Sequence, residues 1–294
     1  MFFRQLSVYR LESELLDPAA LETTLAGHPF APTRPQQIES AGWLPAIGSL
    51  FVHETDQALR LVQQREERSV PARAISETVE ARLRERAGTL GEPTRAERAA
   101  MKDAVLLELL PQAFPRQSQA QTLIDPVHQQ VWFDTITANK IERLSSSLRE
   151  QLGQWRMSPW FAAADTSGHL ARWLLGAPPA GFAIGEGARL VDPRDGGTIT
   201  VAKLALPDPH VIAHLHEGMK VDQLELIWNE QLRFTLRADG SLTKIKPTEH
   251  YAEEHDEPAD EDNARLDADQ RLMVAAFRRL IADLTRVLSP TPAA

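Results

Sequence analysis

The segment KVDQLELIWNEQLRFTLRADGSLTKIK, residues 220–246, decides the fold class of this chain. Three runs inside it, residues 220–228, 232–237 and 241–246, are rich in apolar and β-branched side chains and are separated by polar turn residues. The connection before the third run contains ADGS, a pattern typical of a tight turn between antiparallel strands. The segment therefore predicts a three-stranded antiparallel meander.

Further strands and helices are predicted on the N-terminal and C-terminal sides of this meander. Apolar and β-branched runs predict strands at residues 3–11, 50–53, 59–63, 121–125, 130–134, 188–191 and 198–204. Helical periodicity and capping residues predict helices at residues 18–25, 139–152, 165–175 and 266–288. The turn-rich segment 42–48 is predicted to be a loop whose Trp43 packs inward. This mixture indicates an α+β protein with mixed or antiparallel sheets and packed helices.

Residues 69–110 have a different, strongly helical character. Ile75, Val79 and Leu83 recur at four-residue spacing and form a narrow apolar stripe, while the other faces of this first helix are charged and include Arg73. Residues 88–93 break the helix, and Thr94 with Glu97 forms a capping-box pattern that starts a second helix. The segment therefore predicts a helical hairpin that protrudes into solvent or lines a channel.

The second helix of the hairpin carries a basic face. Arg95, Arg98 and Lys102 recur at spacings of three and four residues, so their side chains lie on the same side of a helix. Positive side chains arranged in this way suit contact with a phosphate backbone.

These changes in character divide the chain into three predicted regions. Residues 1–68 and 115–158 form a central α+β region, residues 69–114 form the tip, and residues 159–294 form a C-terminal α+β base region. Within the base region, residues 248–269 are predicted to be an acidic loop, because they are too polar to bury much apolar surface.

The net charge of –9 is confined to this acidic loop. Residues 248–269 contain ten Asp and Glu residues and one Arg, so they alone carry –9 and the remainder of the chain is neutral. A neutral body can place a basic face opposite an acidic one, so the total charge does not exclude binding to nucleic acid.

Several classes of function lack their signatures in the sequence. The chain has no cysteine, which excludes disulfides and thiolate chemistry, and it has no phosphate-binding loop, dinucleotide-binding glycine motif, zinc-protease motif or serine-hydrolase motif. It also has no apolar run long enough to span a membrane and no secretory signal at its start, so we expect a cytoplasmic protein that does not bind membranes.

Two alternatives to nucleic-acid binding stay open at this point. His210 and His214, with His216 and Glu217 close by, have a spacing that could place imidazoles on one metal ion in a metal-dependent enzyme. The second alternative is an interaction module in which the acidic segment, residues 249–262, mimics DNA for a basic partner.

Four segments of the chain resemble the RdgC family of recombination-associated proteins. They are FFRQLSVYRL at 2–11, AGWLPAIGS at 41–49, MKDAVLLELLPQAFPRQSQ at 101–119 and LELIWNEQLRFTLRADGSLTKIK at 224–246. The segments keep their order over most of the chain, and LLPQAF at 109–114 is the most specific of them. The resemblance implies a ring-shaped homodimer that encircles duplex DNA without sequence preference, with binding to single strands left open.

The resemblance also implies a non-enzymatic protein of the nucleoid that needs no cofactor and no metal and that limits the access of the RecA recombinase to DNA. Matched residue by residue, it implies that Phe114 closes the ring at the hairpin and that Lys203 faces the DNA. Relatives often carry a basic residue at the position of Gln112 and a lysine at that of Met219. Arg116 and Lys220 are the possible substitutes in this chain. The complete set of predicted DNA-binding residues is Arg73, Arg95, Arg98, Lys102, Arg116, Lys203 and Lys220.

Overall fold

The structure of the chain, a computed structural model, describes residues 2–14, 17–87, 93–160, 166–254 and 262–288. In these ranges the helices are α1 (Pro18–Ala26), α2 (Ala72–Ala87), α3 (Arg95–Leu109), α4 (Ala138–Leu152), α5 (Thr166–Leu174), α6 (Pro209–His216), α7 (Glu249–Glu254) and α8 (Asp262–Leu288). The strands are β1 (Gln5–Leu11), β2 (Glu39–Leu44), β3 (His53–Thr55), β4 (Ala58–Arg68), β5 (Pro115–Asp125), β6 (Gln130–Phe133), β7 (Met157–Pro159), β8 (Phe182–Val191), β9 (Thr198–Val201), β10 (Lys220–Trp228), β11 (Leu232–Arg237) and β12 (Leu242–Pro247).

All the described strands join one antiparallel sheet, and β1 is the strand that connects its two halves. The order is β2-β4-β5-β6-β1-β12-β11-β10-β8-β9, with β3 paired to β4 and β7 paired to β1. On one side Val8 lies opposite Trp132 of β6, and on the other Leu6 lies opposite Leu242 of β12. The N-terminal segment therefore ties the central strands to the base strands, and the predicted α+β class is confirmed.

The predicted meander is confirmed as β10, β11 and β12. Leu224 lies opposite Leu236, and Leu236 lies opposite Leu242, so apolar side chains align across the three strands. The turn before β12 contains Gly240 at φ 80°, a left-handed conformation that favours glycine.

Helices cover both faces of the sheet. In β6 the side chains of Val131 and Phe133 pack in one buried cluster, with α1 and α4, while Trp132 between them packs in a second cluster, with α8. Successive side chains of a strand point to opposite faces, so α8 lies on the face opposite to α1 and α4. None of the described helices is both long and apolar enough to cross a lipid bilayer.

A buried ion pair fixes α8 to the central strands. Asp125 at the end of β5 is fully buried and accepts hydrogen bonds from Arg278 Nε and Nη2, each at 2.9 Å. His128 Nδ1 lies 2.8 Å from the same carboxylate. Burial acts to raise the pKa of Asp125, but the bonds from Arg278 and His128 outweigh burial and hold this pKa below its usual value. The contact therefore joins the last helix to the middle of the sheet as a charged pair.

Two predictions for residues 42–53 are wrong. Residues 39–44 form a strand, although 42–48 were predicted to be a loop, because β2 pairs with β4 and Phe30 N donates to Trp43 O at 2.9 Å on its other side. Trp43 itself is buried, as predicted. The predicted strand at 50–53 is displaced to β3, because Leu50 N donates to Ile47 O at 2.8 Å and closes a turn there.

The prediction of an acidic loop at 248–269 is wrong at both ends. Residues 249–254 form α7, and α8 begins at Asp262, while residues 255–261 lie outside the described residues. Contacts explain both helices: Tyr251 packs edge-to-face on Phe2, and near the start of α8 Asp267 Oδ1 lies 3.0 Å from His53 Nε2 and accepts from Thr55 Oγ1 at 2.9 Å. An acidic residue in the first turn also interacts favourably with the helix dipole.

Candidate nucleic-acid interface

The predicted helical hairpin is confirmed and forms an arm, defined here as α2, α3 and the segment 110–114. Two ion pairs link its helices: Arg82 with Glu108, and Arg86 Nη2 with Glu97 Oε1 at 2.5 Å. Among the described side chains of the two helices only Val105 is buried. The arm therefore contributes little to the core, and its surface is available for contacts.

The start of α3 is fixed by the capping box that the sequence predicts. Glu97 N donates to Thr94 Oγ1 at 3.3 Å, and Thr94 N donates to Glu97 Oε2 at 2.8 Å. The hydrogen bond from the Thr94 backbone, with that from Arg86, lowers the pKa of Glu97 to about 2. This carboxylate therefore stays charged at any physiological pH and holds the first turn in place.

Three basic side chains on α3 are exposed and share one side of the helix. At about 100° per residue, Arg95, Arg98 and Lys102 fall within about 60° of one another around the helix axis. None of the three forms an ion pair with another described residue. Arg73 on α2 differs, because its Nε lies 2.7 Å from Glu77 Oε1. Arg84 on α2 is exposed and also makes no ion pair with another described residue, so three of the four unpaired basic side chains of the arm lie on α3.

Phe114 at the end of the arm is exposed to an unusual degree for an aromatic residue. Its exposed fraction is 90%, whereas the next most exposed large apolar residue in the described part of the chain, Val127, reaches 53%. A 3₁₀ turn, Leu110–Gln112, precedes it, and the side chain of Leu110 is fully buried. The turn is thus anchored in the core while the aromatic ring stands in solvent.

A buried polar network lies directly behind Phe114. Arg68 at the end of β4 donates from Nη1 to Ala113 O at 2.8 Å and from Nε to Thr33 Oγ1 at 2.9 Å. Thr33 in turn donates from its backbone and its hydroxyl to Glu66 Oε1, at 2.8 and 2.6 Å. The backbone that presents Phe114 is therefore held by a chain of hydrogen bonds that starts at Glu66.

Glu66 carries its charge inside the protein. Its side chain is buried, and Gln117 Nε2 donates to the second carboxylate oxygen at 2.8 Å. The bonds from Gln117 and Thr33 hold the pKa of Glu66 below its usual value. The carboxylate therefore remains an acceptor for both residues near neutral pH.

The remaining three predicted residues lie at three other positions along the sheet. Arg116 is exposed on β5, opposite Glu67 of β4 and close to the base of the arm. Lys220 is exposed at the start of β10, opposite Val191. Lys203 follows β9 in a left-handed conformation, φ 57°, and the next residue bonds to Glu186 O.

The structure does not bring Lys203 and Lys220 together. Glu186 and Val191 are five residues apart on β8, which separates the two lysines by roughly 17 Å along the strand. Met219, where relatives often carry lysine, is half-buried against the core, and Lys220 is the exposed residue. The predicted basic residues therefore form one group at the arm, beside the β2 end of the sheet, and two separate points near its β9 end.

The alternative metal site is not assembled. His214 Nδ1 lies 3.1 Å from Glu217 Oε2, while His210 and His216 are exposed on α6. Across the described ranges, no three His, Asp or Glu side chains lie where they could share a metal ion.

Comparisons with known proteins identify the family. The family model described as "Putative exonuclease, RdgC" matches residues 1–290. The recombination-associated protein RdgC of Shewanella denitrificans is 32% identical over 298 residues, covering 99% of this chain and 98% of the relative. The chain belongs to the RdgC family. The RdgC proteins of Shewanella baltica, at 33%, and Shewanella oneidensis, at 31%, match with 97–98% of each chain covered.

Sequence reasoning missed the residues that support the arm in this RdgC-family chain. Arg68 and Glu66 lie in QQREER, residues 63–68, which extends β4 beyond its predicted end at Gln63. A polar run immediately before a helical hairpin was the available signal. It was missed because alternation of apolar and polar side chains, the usual mark of a strand, stops there.

Proposed function

We propose that this RdgC-family protein binds duplex DNA without sequence preference, as a ring-shaped homodimer, and limits the access of RecA to the DNA. The main support for this proposal is the basic side of α3, where Arg95, Arg98 and Lys102 are exposed and make no ion pair with another described residue. Such side chains can contact phosphates, which are the same at every base pair, and phosphate contacts carry no direct sequence information.

Two features support a ring of two copies. The first is Phe114, an exposed aromatic residue on an anchored turn, which suits a contact between protomers because large aromatic residues are enriched at the centres of interfaces. The second is the position of the basic residues near both ends of a long sheet. In a two-fold dimer these residues would surround a shared space.

The proposal describes a binding protein of the nucleoid and not an enzyme. The relatives are named recombination-associated proteins, whereas the family model carries the word exonuclease. End-labelled duplex incubated with the protein and Mg²⁺ or Mn²⁺ separates the two descriptions. We expect the DNA to keep its length, and progressive shortening from the ends would contradict the proposal.

Salt dependence tests the mode of DNA binding. Affinity for two duplexes of unrelated sequence should be equal and should fall steeply as salt increases, because bound cations release counterions from phosphates. Alanine at Arg95, Arg98 and Lys102 together should reduce the slope of log affinity against log salt by up to about 3. Arg286→Ala is the control, since Arg286 is also exposed, pairs with Asp283 on α8 and lies outside the predicted DNA-binding residues. An affinity that does not respond to salt would exclude this mode of binding.

Ring closure is tested on circular DNA. A closed ring should stay on a nicked circular plasmid after a salt challenge and should leave the same plasmid once it is cut to a linear form. Phe114→Ala should shorten the residence time on the circle, whereas Val127→Ala, which removes another exposed apolar side chain, should not. Equal residence of wild type and Phe114→Ala would remove Phe114 from the closing contact.

The effect on RecA is tested with the same variants. Wild type added to duplex DNA before RecA should reduce RecA-driven strand exchange, and the triple variant of α3 should reduce it less. Full inhibition by a variant that no longer binds DNA would mean that the protein acts on RecA itself.

A further inference from the structure

A basic cavity lies in the central region of the protein and is lined by residues other than the predicted DNA-binding residues. It has a volume of about 170 Å³ and opens between the ends of β4 and β5 and the first turns of α4. Arg65, Lys140 and Arg143 supply three positive side chains to its wall, and Ser118 and Asn139 supply neutral hydrogen-bond donors. We call this cavity the notch. Glu67 is the one acidic residue in its lining.

The two arginines of the notch already converge on an oxyanion. Arg65 Nη1 lies 2.6 Å and Arg143 Nη1 lies 3.4 Å from the same oxygen of Glu39, at the rim. Each guanidinium has five N–H groups and the carboxylate engages only part of this capacity. The arginine side chains are therefore held in place with donors remaining.

Lys140 leaves the notch with uncompensated charge. It is exposed at the start of α4 and forms no ion pair with another residue in the described ranges. Among the lining residues and Glu39 at the rim, three cations exceed two carboxylates by one charge, while Asp134 outside the lining interacts with Lys140 without forming an ion pair, and burial raises the pKa of Asp134. An anion with several acceptor oxygens would satisfy both this charge and the neutral donors, which is the chemistry of a phosphate group.

We propose that the notch formed by Arg65, Lys140 and Arg143 binds a phosphate group of a DNA strand. The proposal rests on the DNA-binding function above and adds a contact point in the central region. Arg116 supports a continuous path, because it lies two residues from Ser118 on β5 and so on the same face of the sheet. A strand in the notch would thus pass Arg116 on its way to the arm.

A double variant, Lys140→Ala with Arg143→Ala, tests the notch while Arg65 keeps its bond to Glu39. Arg149→Ala is the matched control, since Arg149 lies on the same helix, has the same 51% side-chain exposure as Arg143 and pairs with Glu142. Binding to duplex is measured by fluorescence anisotropy across a salt series, and urea unfolding confirms that both variants are folded. We expect the double variant to lose affinity by about 10-fold and its salt slope to fall by about 1 to 2, with Arg149→Ala unchanged.

A second experiment uses pyrophosphate to distinguish two occupants of the notch, a phosphate group of DNA and a free phosphate compound. Competition by millimolar pyrophosphate against DNA should be weaker in the double variant, and calorimetry should detect little binding of pyrophosphate to wild type at micromolar concentration. Tight pyrophosphate binding that the double variant loses, with DNA affinity unchanged, would overturn DNA as the occupant. Wild-type affinity and salt slope in the double variant would overturn the notch while leaving the proposed function intact. If wild type itself fails to bind DNA, the proposed function and the DNA contact both fail.

Discussion

Arg68 donates a hydrogen bond from Nη1 to the carbonyl oxygen of Ala113 at 2.8 Å, and Ala113 directly precedes the exposed Phe114. The guanidinium also bonds to Thr33, which bonds to the buried Glu66. A buried charge behind an exposed aromatic residue thus sets the backbone from which that aromatic projects. The position of Phe114 therefore depends on β4 as well as on the arm itself.

Arg68→Ala should destabilise the protein and loosen Phe114. The substitution leaves Ala113 O and Thr33 Oγ1 without their charged donor, and bonds to charged groups contribute about 1.5–3 kcal/mol each. We expect a lower urea midpoint with an unchanged slope and a shorter residence time on circular DNA. Arg73→Ala, which breaks only an exposed pair within α2, should change stability by less than about 0.5 kcal/mol. Equal stability of the two variants would show that the bond to Ala113 O contributes nothing.

Glu66→Gln should destabilise the protein at neutral pH and lose this effect in acid. The amide can still accept from Thr33, but its NH₂ group would face the donor Gln117 Nε2. The pKa of Glu66 in the folded protein is lowered, so its contribution is complete above the unfolded value of about 4.3 and is lost as pH falls through the folded value. Urea unfolding at pH 7 and at pH 3 measures the difference from wild type. A difference that grows in acid would contradict the assignment of charge to Glu66.

Local signals predicted the meander and the arm correctly because each is decided by neighbouring residues. The Thr94 and Glu97 capping box, the turn at Gly240 and the apolar runs of β10 to β12 all act over a few positions. β2 could not be predicted in the same way. Gly42 is a turn residue by local statistics, but pairing with β4 on one side and with residues 28–30 on the other overrides that preference.

The candidate sites depended on long-range contacts to different degrees. Arg95, Arg98 and Lys102 share a face because one helix carries them, so their spacing was informative. Arg65 and Arg143 are brought together only when β4 packs beneath α4, and no spacing in the chain indicates this. The helical start of α8 was missed for a similar reason, since Asp267 bonds to His53 and Thr55 of β3, which lie far away in the chain.

Arg278→Met should be strongly destabilising because it leaves Asp125 charged and fully buried without its main partner. Breaking a buried pair from one side costs about 3–5 kcal/mol. Arg286→Met is the control on the same helix: Arg286 is exposed and its partner Asp283 is only half-buried, so the cost should stay below about 1 kcal/mol. Urea unfolding at pH 7 measures the free energy of unfolding of both variants. Similar costs for the two variants would mean that Asp125 finds other partners, and His128 at 2.8 Å would be the first to examine.

Gly42→Ala should detach the segment that covers the edge of the sheet. A Cβ atom at this position would lie 2.5 Å from Phe30 Cα and 2.6 Å from Pro29 O, both in the backbone, so residues 28–31 would have to move. Their movement breaks the bonds between Phe30 and Trp43 and exposes β2, and we expect a cost of about 1–3 kcal/mol. Exposed strand edges also pair with other chains, so the variant should aggregate at lower temperature in light scattering.

Gly27→Ala is the control, because Gly27 has an ordinary φ of –73° and the backbone oxygen nearest to an added Cβ atom lies at 3.3 Å. A Gly42→Ala protein as stable and as soluble as this control would show that residues 28–31 do not protect the edge.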